Sequence, residues 1–315
     1  MTALSVKQKT TLRALALCAS LPVLAQVLTP TPAHAQAPAS ATAPSLKLFP
    51  DSRLVRGDRI SVEVVGSGPD VVLIPGLASS RETYRRTAMR LRGRYRLHLV
   101  QVAGFAGEPA AANASGPVTL PVVEAIDAYI VSAGLKAPAV VGHSLGGVMA
   151  MELALDHPAH VGKVMIVDSL AFYPQLMMGP GATVEAVRPM VDGMGAQMLG
   201  ASDESFAKSA ARTGQAMVTA PAAQAMIGAW SVASARPTMI KAMQEDMLTD
   251  LRPRVASLSV PVTVIYEAAL EPLIKADYAA APRKTLVSAA PGAKHFIMYD
   301  DPKTFDATLD AFLGG

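Results

Sequence analysis

The segment that most constrains the fold of this chain is residues 141–147, which read VGHSLGG. An apolar run at residues 139–141 leads into it, and apolar residues at helical spacing follow it from Val148 to Leu153. A strand that turns directly into a helix forces the residue at the turn, here Ser144, into strained backbone geometry. Glycine is then needed two positions before it and two after it. The segment therefore predicts a strand, a tight turn that presents the Ser144 hydroxyl, and a helix.

Short strand patterns alternate with helical patterns along most of the chain. The strand patterns occupy residues 60–65, 71–74, 95–102, 139–141, 164–167, 262–266 and 285–287. The pattern at residues 71–74 is wholly apolar, which is typical of a central strand buried on both faces of a parallel sheet. This alternation predicts an α/β fold with a mostly parallel central sheet flanked by helices.

Residues 170–257 interrupt the alternation, because they contain helical patterns, no convincing strand and 10 of the 16 methionines. We interpret this segment as a helical cap inserted over the carboxyl edge of the sheet, between core residues 46–169 and 258–315. Methionine is flexible and polarizable, so the cap could form an adaptable apolar substrate pocket. The alternative is that these methionines fill the core of the cap itself.

Residues 1–35 have the three parts of a secretory signal peptide. Lys7, Lys9 and Arg13 precede an apolar run, which ends in the small residues Ala33-His34-Ala35. We expect cleavage after Ala35, a flexible lead-in at residues 36–45, and export to the periplasm or the medium. An uncleaved anchor is the alternative, but the apolar run is shorter than the roughly 20 residues that span a bilayer, so no stable membrane insertion is expected.

Charge and cysteine content exclude several classes of function. The net charge is +3, and removing residues 1–35 leaves 25 basic and 25 acidic side chains, which does not favour nucleic-acid binding. Cys18 also lies in the leader, so the mature chain has no disulfide. Seven arginines at residues 81–96 are interpreted as a solvated helix face. No phosphate-binding, dinucleotide-binding or metal-ligand spacing is present, so no cofactor and no metal are expected.

The G-x-S-x-G pattern at residues 142–146, set between a strand and a helix, resembles the α/β-hydrolase family across essentially the whole mature chain. The resemblance implies an α/β-hydrolase fold with Ser144 as nucleophile and His295 as general base, since His295 follows the last strand pattern. The other histidines fit less well. His98 alternates within a strand and His143 adjoins the nucleophile facing away from it, while the remaining ones leave with the signal or flank a helix end as solvated residues (His34, His157, His160).

The sequence does not decide which carboxylate is the third member of the catalytic triad, beside Ser144 and His295. In the family a carboxylate follows the strand that corresponds to residues 262–266, and Glu271 is our first choice there. Asp168, which ends the strand at residues 164–167, is the alternative acid, and Glu267 or no true acid is the third possibility. The resemblance also implies that the backbone N–H groups of Leu77 and Leu145 bind the oxyanion.

These residues imply a cofactor-independent serine hydrolase, expected to be a carboxylic ester hydrolase that acts on small hydrophobic, uncharged esters through an acyl-enzyme. The same site could serve an acyltransferase, a C–C bond hydrolase or a haloperoxidase, because fold does not fix the reaction. A further alternative is a non-catalytic ligand-binding protein with a degenerate triad.

Overall fold

Eight strands form one sheet in the computed structural model, which describes residues 47–314. In chain order they are β1 (Arg53–Arg56), β2 (Ile60–Gly66), β3 (Asp70–Ile74), β4 (Arg96–Val102), β5 (Ala139–His143), β6 (Lys163–Val167), β7 (Val262–Tyr266) and β8 (Lys284–Ser288). Their order in the sheet is β1-β2-β4-β3-β5-β6-β7-β8. The first two pairings are antiparallel and the other five are parallel, so the predicted mostly parallel sheet is confirmed.

The helices fall between these strands or follow them. They are α1 (Arg85–Leu91), α2 (Thr119–Ser132), α3 (Leu145–Asp156), α4 (Gln175–Met178), α5 (Val184–Gly200), α6 (Asp203–Met217), α7 (Pro221–Ala233), α8 (Arg236–Leu248), α9 (Glu271–Asp277), α10 (Ile297–Asp300) and α11 (Pro302–Gly314). Short 3-10 turns complete several connections, including residues 81–84 before α1 and residues 268–270 before α9.

Both faces of the sheet are covered, because successive residues of a strand point to opposite sides. In β3, Val72 and Ile74 pack in one apolar cluster with residues of α2 and α3. Val71 and Leu73 pack in a second cluster with residues of α1 and α11. The central strands are thus buried from both sides, as their continuous apolar sequence predicted.

Helices α4–α8 all lie between β6 and β7, within the segment interpreted as a cap. Phe172, Val187 and Val191 form a cluster of their own there, together with Met247 and the partly buried Met190, Met194 and Met243. For these four methionines the structure therefore favours packing of the cap's own core over a substrate surface.

The predicted signal peptide (residues 1–35) and lead-in (36–45) lie outside the described residues. Within residues 47–314, no helix combines the length and the hydropathy that a membrane span requires.

Candidate active site

Ser144 occupies the turn between β5 and α3 and has φ 55° and ψ −124°, a left-handed conformation that is strained for a residue with a side chain. Its backbone N–H donates to the carbonyl oxygen of Val167 in β6 at 3.0 Å, which holds the turn against the sheet. A Cβ atom at Gly142 would overlap the carbonyl oxygen of Gly146, and one at Gly146 would overlap that of Ile74. Both glycines are therefore required, and half-buried Ser144 sits at the N-terminus of α3.

Asp168 and His295 form a hydrogen-bonded pair. Nδ1 of His295 lies 2.7 Å from Oδ2 of Asp168, and Oδ1 of Asp168 accepts the backbone N–H of Glu267, also at 2.7 Å. The Asp168 side chain is only 1% exposed, whereas that of His295 is 20% exposed. Within the described chain, Nε2 of His295 has no hydrogen-bond partner. This arrangement fixes the ring by Nδ1 and leaves Nε2 able to accept a proton.

Three carboxyl groups act on this one imidazole. Burial of His295 opposes its charged form, but the hydrogen bond and the charge of Asp168, followed by the charges of Glu267 and Asp246, raise the pKa of His295 above its usual value. Burial also raises the pKa of Glu267 and that of Asp246 to about 7 each. Since Asp246 belongs to α8, the cap contributes to the electrostatics of the base.

Glu271, our first choice for the acid, is not brought to His295, and the order of the candidates is corrected in favour of Asp168. The 3-10 turn at residues 268–270 places Glu271 at the exposed start of α9, where its Oε1 pairs with Nζ of Lys275 at 2.6 Å. Glu267 contributes its backbone N–H to Asp168, and its side chain makes no hydrogen bond to His295 among the described residues.

The two candidate oxyanion donors border Ser144. A Cβ added to Gly76 would lie 3.0 Å from the Cβ of Ser144, so the loop that carries Leu77 contacts the turn directly. The N–H of Leu77 has no acceptor within residues 47–314. Leu145 is the first residue of α3, and such a residue has no acceptor within its helix. Both amides are therefore free to donate next to the nucleophile.

Arg81 is buried and stabilises the loop that carries Leu77. Its interpretation as part of a solvated helix face is therefore wrong. Its side chain is 2% exposed and lies 3.7 Å from the buried carboxylate of Glu63. The N–H of Arg81 donates to Oε1 of Gln101, whose Nε2 donates to the carbonyl of Ser79. The buried ion pair of Arg81 and Glu63 thus holds in place the segment that follows Leu77.

Sequence reasoning missed the contribution of His143. This side chain is fully buried, and its Nε2 donates to the carbonyl oxygen of His295 at 3.0 Å. Its ring centroid lies 4.5 Å from that of Phe296. Burial, with repulsion from His295, holds the pKa of His143 well below its usual range, so the ring is neutral. The only signal in the sequence was a histidine beside the nucleophile, which gives no partner.

The chain is similar to known proteins in sequence and in fold. The model of the alpha/beta hydrolase family matches residues 71–308. Two curated relatives are pimeloyl-[acyl-carrier protein] methyl ester esterases. The one from Aeromonas hydrophila subsp. hydrophila is 34% identical over 110 residues, which are 35% of this chain and 41% of the relative. The one from Edwardsiella ictaluri is 28% identical over an alignment of 269 positions, which covers 78% of this chain and 93% of the relative.

The fold also has close counterparts among solved structures. An esterase from Exiguobacterium antarcticum superposes with a TM-score of 0.71 at 19% identity, over 84% of this chain and 98% of that chain. At this level of identity the likeness concerns the fold alone. The match to the Aeromonas relative spans less than half of that protein. The activity of that relative is therefore not assigned to this chain.

Proposed function

The chain belongs to the alpha/beta hydrolase family, and on this premise we propose that it is a serine hydrolase of carboxylic esters. The observation that carries the proposal is the 2.7 Å contact between Nδ1 of His295 and Oδ2 of Asp168. The ring centroid of His295 lies 4.7 Å from that of His143, the residue before a serine that is held in strained geometry at a helix N-terminus. The curated relatives, which are named as esterases, support the same reaction class.

In the proposed mechanism, the hydroxyl oxygen of Ser144 attacks the ester carbonyl carbon, while Nε2 of His295 removes the proton from that hydroxyl. Asp168 stabilises the imidazolium that forms. The N–H groups of Leu77 and Leu145 bind the oxyanion, and donors of this kind are worth about 3 kcal/mol of the barrier each. His295 then returns the proton to the leaving alcohol, and water releases the acyl group from Ser144 by the same steps.

We propose esters with a hydrophobic, uncharged acyl portion as the substrate class. Asp168, Glu267 and Asp246 all act on His295, so an additional anionic group beside the base would be repelled. The names of the curated relatives point to methyl esters, whose leaving group is methanol, as one candidate substrate class. The basic and apolar leader at residues 1–35 supports a further proposal, that the enzyme is exported.

A fluorophosphonate probe tests the nucleophile, and a panel of p-nitrophenyl esters of increasing chain length tests the reaction. Wild type should be labelled at Ser144 and hydrolyse the esters, while Ser144→Ala should lose both properties. Ser132→Ala is the matched control, because Ser132 ends α2 and, within residues 47–314, its hydroxyl bonds only to the carbonyl of Tyr129. Full turnover by Ser144→Ala would refute the mechanism. An unlabelled wild type that binds apolar ligands tightly would identify a binding protein instead.

A further inference from the structure

Two histidines and an aspartate meet at the far end of the helix that begins after the nucleophile. Nδ1 of His160 lies 2.6 Å from Oδ1 of Asp127, and Nδ1 of His157 lies 3.5 Å from Oδ2 of the same carboxylate. One ligand atom from each of the three residues falls within 4.8 Å of the others. The three side chains therefore converge on one small volume.

Both nitrogens of the His157 ring face carboxylates. The imidazole planes of His157 and His160 are nearly parallel, at 4°, with centroids 6.0 Å apart, so the rings must rotate for both Nδ1 lone pairs to point at one ion. While Nδ1 of His157 faces Asp127, its Nε2 lies 3.1 Å from Oε1 of Glu124. Metal-binding histidines usually donate their second nitrogen to a carboxylate, which fixes the tautomer and makes the ligating nitrogen more basic. Glu124 occupies that position.

The donor set matches a zinc-type ion. Zinc binds imidazole nitrogen and carboxylate oxygen at about 2.0–2.2 Å, so the ligand atoms of a tetrahedral site lie about 3.3 Å apart. The imidazole nitrogens lie 2.6 and 3.5 Å from different oxygens of the Asp127 carboxylate, and one ligand atom from each of the three residues falls within 4.8 Å of the others. Rotation of the side chains would bring one oxygen and both nitrogens to the separation that zinc requires. Both imidazoles are partly exposed, which gives an ion access from solvent.

We propose that Asp127, His157 and His160 form a binding site for a divalent transition-metal ion of the zinc type, with water in the fourth position. Asp127 lies on α2, whereas the histidines follow the end of α3. Sequence spacing could not disclose the site, because the carboxylate comes from a different helix. The bound ion cross-links α2 to the chain segment that leaves α3.

The site is structural and is separate from the ester chemistry. Helix α3 has 12 residues and begins directly after Ser144, so its far end lies about 18 Å from the nucleophile. An ion that binds the folded chain but not the unfolded chain stabilises the fold by mass action. The expected effect of zinc is therefore a higher melting temperature with unchanged ester turnover.

Calorimetric titration of the tag-free, EDTA-treated full chain with Zn²⁺ tests the proposal, and Co²⁺ absorption spectra report the coordination. Wild type should bind one ion per chain and melt at a higher temperature with Zn²⁺. Asp127→Asn and His160→Gln should each weaken binding by about tenfold or more. Asp203→Asn is the control, because Asp203 is an exposed carboxylate paired with Arg236.

Two results would overturn the site. One is that wild type shows no saturable binding of Zn²⁺. The other is that both variants bind Zn²⁺ as tightly as wild type, which would place the ion elsewhere. Each variant is first checked for a cooperative thermal transition without metal. If Asp127→Asn fails to fold, the affinity of His160→Gln alone tests the site. The side chain of His160 is 41% exposed, so its replacement should leave the fold intact. Metal binding is measured without substrate, so its outcome is independent of whether the chain hydrolyses esters.

Discussion

The buried ring of His143 donates from Nε2 to the backbone carbonyl of His295 at 3.0 Å, so the residue before the nucleophile holds the segment that carries the base. The donor is rigid, because His143 is fully buried and lies beside Phe296. The hydrogen bond joins β5 to the loop that precedes α10, two segments distant in sequence. The position of His295 relative to Ser144 therefore depends on the side chain of His143.

Replacing His143 by Phe should slow catalysis, because the ring shape is kept and the donor to His295 is lost. A buried polar group left without its partner costs about 1–3 kcal/mol. Carried in full by the activation barrier, this cost lowers kcat by about fivefold to 150-fold. KM should change little. His143→Gln, which retains an N–H donor, should recover part of kcat. Steady-state kinetics of both variants test this, and equal rates for Phe and Gln would contradict it.

Asp168→Asn should lower kcat by about a thousandfold or more, since an amide cannot stabilise the imidazolium and favours the wrong tautomer of His295. Glu271→Gln is the matched control, because it also removes one carboxylate at a strand exit but breaks only an exposed ion pair with Lys275. Its kcat should stay within about twofold of wild type, since exposed ion pairs are worth little. A larger loss in Glu271→Gln than in Asp168→Asn would restore Glu271 as the acid.

The loop beside the nucleophile should also be sensitive to one added methyl group. In Gly76→Ala the new Cβ would lie 3.0 Å from the Cβ of Ser144 and 3.2 Å from Nδ1 of His143, so the loop must shift. We expect kcat to fall about tenfold or more through displacement of the Leu77 amide, with a smaller change in melting temperature. Gly93→Ala, where a Cβ would meet no atom within 4 Å, should leave both unchanged. Normal kcat in Gly76→Ala would exclude Leu77 as an oxyanion donor.

Features that depend on local sequence were predictable in this chain. The central strands and the turn at Ser144 follow from short apolar runs and from glycines at fixed spacing, and they lie where the sequence placed them. Strand β1 was missed, because Arg53–Arg56 forms an exposed edge with no apolar alternation. The assignment of His295 as general base rests on chain order and the family resemblance, and it stays a prediction.

Features that depend on contacts between distant segments were not predictable. Asp168 was a candidate acid in the sequence, but its left-handed backbone at φ 50° directly after β6 and its contact with His295, 127 residues further along the chain, were not predicted. Thr119, the first residue of α2, donates from both its N–H and its hydroxyl to Glu245 of α8. In each case the partner comes from an element far along the chain, which local patterns do not encode.

The pH dependence should report the carboxyl groups around His295. The base must be neutral to act, so kcat/KM falls tenfold per pH unit below the pKa of His295 in the free enzyme. Because Asp168, Glu267 and Asp246 raise that pKa against the effect of burial, the midpoint of the acid limb should lie above the usual 6.5. Asp246→Asn removes one negative charge that favours the imidazolium, so its midpoint should move to lower pH.

The measurement is kcat/KM between about pH 5 and pH 9 on an ester that does not itself titrate in that range. Asp203→Asn serves as the control, since Asp203 is fully exposed on the cap and pairs with Arg236, and its profile should overlie that of wild type. An acid-limb midpoint at or below 6.5 in wild type would show that burial, not the carboxyl groups, controls His295. A midpoint that rises in Asp246→Asn would mean that Asp246 acts on the base through packing and not through its charge.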